Sequence, residues 1–151
     1  MAKELFKNAT VNNIRTLLQG YSGTPLSTLN NFPTSCAINQ EAHNQYARLE
    51  LQFYDFQEAF TKFNLIAKAC NQFGYRPEMF NVYNRIIVKF YTSQNDEKVL
   101  TAKDLYVSHF IDELHSHDVE TAHSAALEKL KALEWSLTNI FNVHKNIMWF
   151  D

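Results

Sequence analysis

The sequence predicts an all-α protein, an up-and-down helical bundle with two long helices (about 40–73 and 118–148) and three shorter ones. Three observations predict it. Apolar residues recur at spacings of three and four through most of the 151-residue chain, the periodicity of a helix that buries one face. One run, Tyr46, Leu49, Phe53, Phe56, Phe60, Phe63, Ala67 and Cys70, keeps that spacing without a break. Breakers are scarce: three Gly and three Pro, with none beyond Pro77, far fewer than a turn-dense β-sandwich needs.

Taken in order, Thr10 is placed to cap a first helix over 11–19, where Val11, Ile14, Leu17 and Leu18 share a face and Gly20 provides the stop. Residues 20–38 collect Gly, Pro, Ser, Thr and Asn and read as a connector, with one helical turn around Leu26–Leu29. The long aromatic seam follows, ended by Gly74. Pro77 and Glu78 suit the first turn of another helix over 79–91, in which Met79, Val82, Tyr83, Ile86, Ile87 and Phe90 form the stripe. The alternative is an α+β fold with a short hairpin near 80–92, because Phe80, Val82, Ile86, Val88 and Phe90 also alternate. Ser93 to Lys98 reads as a polar turn.

Thr101-Ala102-Lys103-Asp104 resembles a capping box opening a helix to about residue 115. Asp118 then caps the last helix, whose seam is Ala126, Leu130, Leu133, Leu137, Ile140, His144 and Ile147. His144 reads as a core histidine, and Trp149 and Phe150 as a closing aromatic plug. The whole chain, 1–151, reads as a single helical domain.

A net charge of −2, with no basic stripe, argues against nucleic-acid binding. No signal peptide or membrane-length apolar run is present, and Cys36 and Cys70 read as reduced thiols, so a cytoplasmic protein is expected. The weight of Asn, Phe, Ile, Tyr and Lys, residues with AT-rich codons, suggests a bacterial or phage source.

Residues 104–128 depart most from the background, with six acids, four histidines and no Lys or Arg. A strip of that charge would attract a basic protein partner, and Asp112, Glu113, Asp118 and Glu120 are the expected contact residues. Alternatively, His109 with Glu113 and Glu120 with His123 could ligate Zn, Mn or Fe, although only one Glu-x-x-His is present. The sequence has no Gly-x-Ser-x-Gly elbow, no glycine-rich phosphate loop and no Arg followed four to six residues later by His. The expected function is therefore a small non-catalytic helical protein that binds another protein: an inhibitor, immunity-type protein, adaptor or small subunit. No cofactor is expected, and the alternative is a metal-binding bundle or metal-dependent enzyme. The long apolar stripes also allow a homo-oligomer.

Overall fold

Strands occupy much of the middle of the chain. In β2 (Asn44–Gln52), Ala47, Leu49 and Leu51 are buried while Arg48, Glu50 and Gln52 alternate with them. β4 (Arg85–Phe90) repeats the pattern, with Ile86, Val88 and Phe90 buried. The two pair antiparallel with Ala47 opposite Phe90 and Leu49 opposite Val88, so both apolar rows fall on one face. The computed structural model describes residues 8–21, Leu26, Leu29 and 31–132.

The described elements are α1 (Asn8–Tyr21), β1 (Cys36–Glu41), β2, α2 (Phe56–Phe73), β3 (Glu78–Val82), β4, β5 (Thr92–Gln94), β6 (Glu97–Val99), α3 (Ala102–Leu114) and α4, helical over 119–132. The six strands form one mixed sheet in the order β3-β4-β2-β6-β5, with β1 on β2 and a parallel contact between β2 and β6. Helices pack on one face. Leu49, Ile86 and Val88 share a buried cluster with Ile14 of α1, Ile66 and Phe73 of α2, Leu105, Phe110 and Leu114 of α3, and Ala122, Ala126 and Leu130 of α4. The other face carries Arg48, Glu50, Arg85 and Lys89, with Arg48 and Arg85 both paired to Glu50.

Local signals set the helix ends. Asp55 caps α2 by accepting the Glu58 N–H at 2.8 Å. Gly74 closes it at φ 73°, a left-handed position that suits glycine. Asp104 accepts the Thr101 N–H at 2.9 Å, completing the predicted capping box of α3. Asp118 opens α4 by accepting the Thr121 N–H at 2.8 Å.

The all-α bundle is corrected to an α+β fold. The expected helix over 40–73 divides: residues 44–52 are strand, and only Phe56–Phe73 is helix. Leu49 and Phe53 satisfy both a three-four spacing and an alternation, and pairing with β1 and β4 selects the strand. The seam within α2 is also displaced. Ala59, Ile66, Ala69, Cys70 and Phe73 are buried, whereas Phe56 and Phe60 are about half exposed, at 47% and 51%. Residues 79–91 are the β3–β4 hairpin, and Pro77 precedes a strand instead of opening a helix. The polar stretch 93–98 is itself a hairpin, with Asn95 and Asp96 both at positive φ in its turn. The first helix extends beyond its predicted bounds. Residues 27 and 28 of the expected turn around Leu26–Leu29, the expected helix beyond residue 132, His144, Trp149 and Phe150 lie outside the described residues.

Candidate active site

Four short segments meet at one end of the sheet: the α2–β3 turn, the β4–β5 junction, β6 and the first turn of α3. Gly74 N–H donates to the Asn71 carbonyl at 3.2 Å and Tyr75 N–H to the Cys70 carbonyl at 2.9 Å. That reversal turns Tyr75 inward, where it is 4% exposed, and its hydroxyl donates to Asp104 Oδ1 at 2.6 Å. Asp104 Oδ2 accepts from Thr92 Oγ1 at 2.8 Å, from Thr101 N at 2.9 Å and from Thr101 Oγ1 at 3.1 Å. Asp104 is fully buried. Burial raises its pKa from the ordinary carboxylate value, against the opposing effect of these donors. Burial and the facing Asp104 charge push the Tyr75 phenol well above its usual range.

Thr92 points into this network, and its neighbour Tyr91 is half-buried on the other side of the strand. The Tyr91 phenol hydrogen-bonds the Glu78 carboxylate, and that bond, with a smaller contribution from burial, raises its pKa. Lys98 Nζ lies 3.9 Å from Glu78 Oε2 and 4.7 Å from the Tyr91 ring centre. The Glu78 and Lys98 side chains are 36% and 40% exposed, within reach of a ligand. Lys89, paired with Glu78 in the β3–β4 ladder, sits 4.8 Å over the Tyr46 ring. A cleft of about 530 Å³ opens here, lined by Tyr91, Ser93, Asn95, Asp96, Glu97 and Lys98. Glu78 touches two residues that line the cleft, the Tyr91 phenol and the Lys98 ammonium, and such a set can take a proton at one atom and give one at another. The Tyr91 ring, which lines the cleft, suits a flat heteroaromatic ring.

The residues expected from the acidic and histidine-rich strip lie away from this cleft. Asp112 accepts from Ser35 Oγ at 3.1 Å, and Glu113 pairs with His117 at 3.1 Å. Asp118 is the α4 cap, its pKa lowered by the Thr121 hydrogen bonds, and Glu120 is exposed. His109 is buried with Nε2 at 2.6 Å from the Asn31 carbonyl, and His123 Nδ1 meets the Tyr106 hydroxyl at 2.5 Å. His109, Glu113, Glu120 and His123 are not brought together, and among the described residues no group of three His, Cys, Asp or Glu is arranged to hold a metal ion. No helix among the described residues is long and apolar enough to cross a membrane.

Sequence reasoning missed Tyr75, Glu78, Tyr91 and Lys98. The signal was the strand reading of 78–90: a hairpin turning at Tyr83-Asn84 sets Glu78 opposite Lys89 and leaves Tyr91 beside it.

Residues 39–114 match the family model for pterin 4 alpha carbinolamine dehydratase, half of the chain. A protein of Burkholderia pseudomallei (strain 1710b), provisionally named pterin-4-alpha-carbinolamine dehydratase, is 42% identical over 67 residues, 44% of this chain and 64% of the relative. One from Burkholderia vietnamiensis with the same name is 38% identical over 72 residues, 48% of this chain and 69% of the relative. The chain thus spans somewhat under two thirds of the length of the first of these. The crystal structure of a transcriptional coactivator/pterin dehydratase from Brucella melitensis covers 74% of this chain and 98% of that one, with a TM-score of 0.41 and 18% identity. The family match overturns the expected non-catalytic helical inhibitor, immunity-type protein, adaptor or small subunit, and with it the metal-binding bundle. Both readings assumed a helical bundle, whereas the chain folds as an α+β protein. With half its length matched, and the Tyr75, Glu78, Tyr91, Lys98 and Asp104 cluster inside the matched segment, the chain belongs to the pterin 4 alpha carbinolamine dehydratase family.

Proposed function

We propose that the chain dehydrates a pterin 4a-carbinolamine in the Tyr91 cleft. The reaction removes a hydroxyl from carbon and a proton from the adjacent nitrogen, leaving a C=N bond and water. It needs a base near the nitrogen and an acid near the hydroxyl. In this reading the Glu78 carboxylate takes the N–H proton, the nitrogen lone pair forms the C=N bond, and the Lys98 ammonium protonates the departing hydroxyl. The 3.9 Å between Glu78 and Lys98 lets the proton return from the acid formed to the amine formed, which resets the pair. Tyr91 orients Glu78 through its hydroxyl and offers its ring to the pterin. The observation that carries the reading is the accessible contact of Glu78 with both Tyr91 and Lys98.

The test is stopped-flow absorbance of a freshly generated 4a-carbinolamine. The chain should accelerate its loss above the spontaneous rate. Glu78→Gln and Lys98→Met should each lower kcat by about 10²-fold, the scale of general acid–base catalysis. No acceleration by the wild-type chain overturns the proposal.

A second copy of the chain is the partner the surface supports. Tyr54 (87% exposed), Phe56, Phe60 and Tyr83 (68% exposed) stand out of the fold together, with the Phe56 and Tyr83 rings stacked at 5.9 Å. Light scattering of wild type and Phe60→Asp tests this. A multimer reduced to monomer by the substitution supports it, and a monomeric wild type refutes it.

A further inference from the structure

α1 lies outside residues 39–114 and packs on the end of α2 and the start of α3. Between the three is a second cleft of about 380 Å³, lined by Arg15, Leu18, Gln19, Phe73, Gly74 and Lys103. It shares no lining residue with the Tyr91 cleft. Two of its six residues are cations and none is an acid, in a chain of net charge −2. The nearest carboxylate in sequence, Asp104, is buried, its oxygens held by Tyr75, Thr92 and Thr101. Arg15 Nε donates to the Gln72 carbonyl, which anchors the guanidinium stem and leaves the two terminal amino groups for another acceptor. Lys103 Nζ is held 5.7 Å from the Tyr75 ring centre. A Cβ added at Gly74 would meet nothing within 4 Å, so the cleft is open at its floor.

We propose that this cleft binds a small phosphate monoester. A guanidinium and an ammonium flanking one opening suit a doubly charged phosphate, the guanidinium taking two oxygens at once. Leu18 and Phe73 give the organic part an apolar wall.

The test is a ¹⁵N-resolved titration of the full chain with glycerol 3-phosphate, inorganic phosphate and glycerol in parallel. Saturable shifts at the Gly74 and Lys103 amides with glycerol 3-phosphate, tighter than with inorganic phosphate and absent with glycerol, are expected. Lys103→Gln should weaken binding at least tenfold, and Arg15→Lys, which keeps the charge but loses the fork, should weaken it severalfold. Lys131→Gln, a distant surface cation, should bind as wild type does. Inorganic phosphate binding as tightly as the ester overturns the organophosphate assignment. Non-saturating shifts, or shifts unchanged in Lys103→Gln, overturn the site.

Discussion

Removing the Tyr75 hydroxyl opens the buried network at one defined point. Tyr75→Phe keeps the ring under Lys103 and beside Phe90, 6.4 Å away, and deletes the hydroxyl that donates to Asp104 Oδ1 at 2.6 Å and accepts the Tyr91 backbone N–H. Asp104 is fully buried, so water does not replace that donor and its charged form loses one of four. A hydrogen bond to a charged group contributes about 1.5–3 kcal/mol, so Tyr75→Phe should cost about 2 kcal/mol. For a chain of this size that lowers Tm by about 4–8 °C. The pH dependence has a definite sign. The Tyr75 bond lowers the Asp104 pKa, so its loss raises a value that burial already holds high. A carboxyl with a raised folded-state pKa favours the fold below its unfolded pKa and loses that contribution as pH rises through the folded value. The deficit should therefore grow as Asp104 ionises with rising pH, and should shrink in acid as it protonates. Urea unfolding followed by circular dichroism at pH 7 and pH 4.5 measures both. A Tyr75→Phe protein within about 0.5 kcal/mol of wild type at pH 7, or a deficit that grows in acid, refutes the role assigned to the network.

Burial pushes the thiols of Cys70 and Cys36 up to about 12, so both should resist iodoacetamide at pH 8 in the folded chain and react on unfolding, as mass spectrometry would show. Burial lowers the pKa of His109 and His123 from 6.5, so the fold takes up fewer protons than the unfolded chain, and stability should fall as pH drops below about 6.5. His109→Gln should flatten that decline in a Tm series from pH 7.5 to 5. Phe110→Ala, at a side chain edge-on to Phe73 at 5.2 Å and fully buried, should cost about 3–5 kcal/mol in denaturant unfolding. Gly74→Ala meets no atom but must hold φ 73°, and should cost about 1 kcal/mol from that strain alone.

The parts of the fold legible in the sequence are those decided within a few residues. Gly74 as a helix stop, Thr101 to Asp104 as a capping box and Asp118 as a cap are local hydrogen-bond arrangements, and each forms as its residues suggest. The strands were not legible because their evidence is remote. Tyr46, Leu49 and Phe53 fit a helical stripe, and what excludes the helix is the six-residue pairing of Ala47–Gln52 with Arg85–Phe90, almost forty positions away. The β-branched run Ile86-Ile87-Val88 pointed to strand, and the Pro-Glu start pointed to helix; the ladder to β2 and β3 resolved it. The site was hidden by the same error. Glu78 and Tyr91 meet only once the hairpin exists, and Lys98 joins them only because β6 inserts beside the start of β2. The acid-rich strip drew attention by composition, yet its members are spread along α3, its C-terminal turn and α4.

Tyr91 and Thr92 are adjacent at the junction between β4 and β5, and their side chains take different partners. Thr92 goes inward to Asp104, and Tyr91 goes outward to Glu78. At the other side of the cluster, Tyr75 goes inward to the same carboxylate, three residues before Glu78. The buried carboxylate therefore clamps both backbone segments that present Glu78 and Tyr91. A buried charge is weak evidence of stability, since well-packed apolar residues often do as well. Here its four donors come from three separate segments, which an apolar replacement could pack but not hold in register. The position of Glu78 against Tyr91 and Lys98 is what that carboxylate secures, and it links the core of the fold to the chemistry of the cleft.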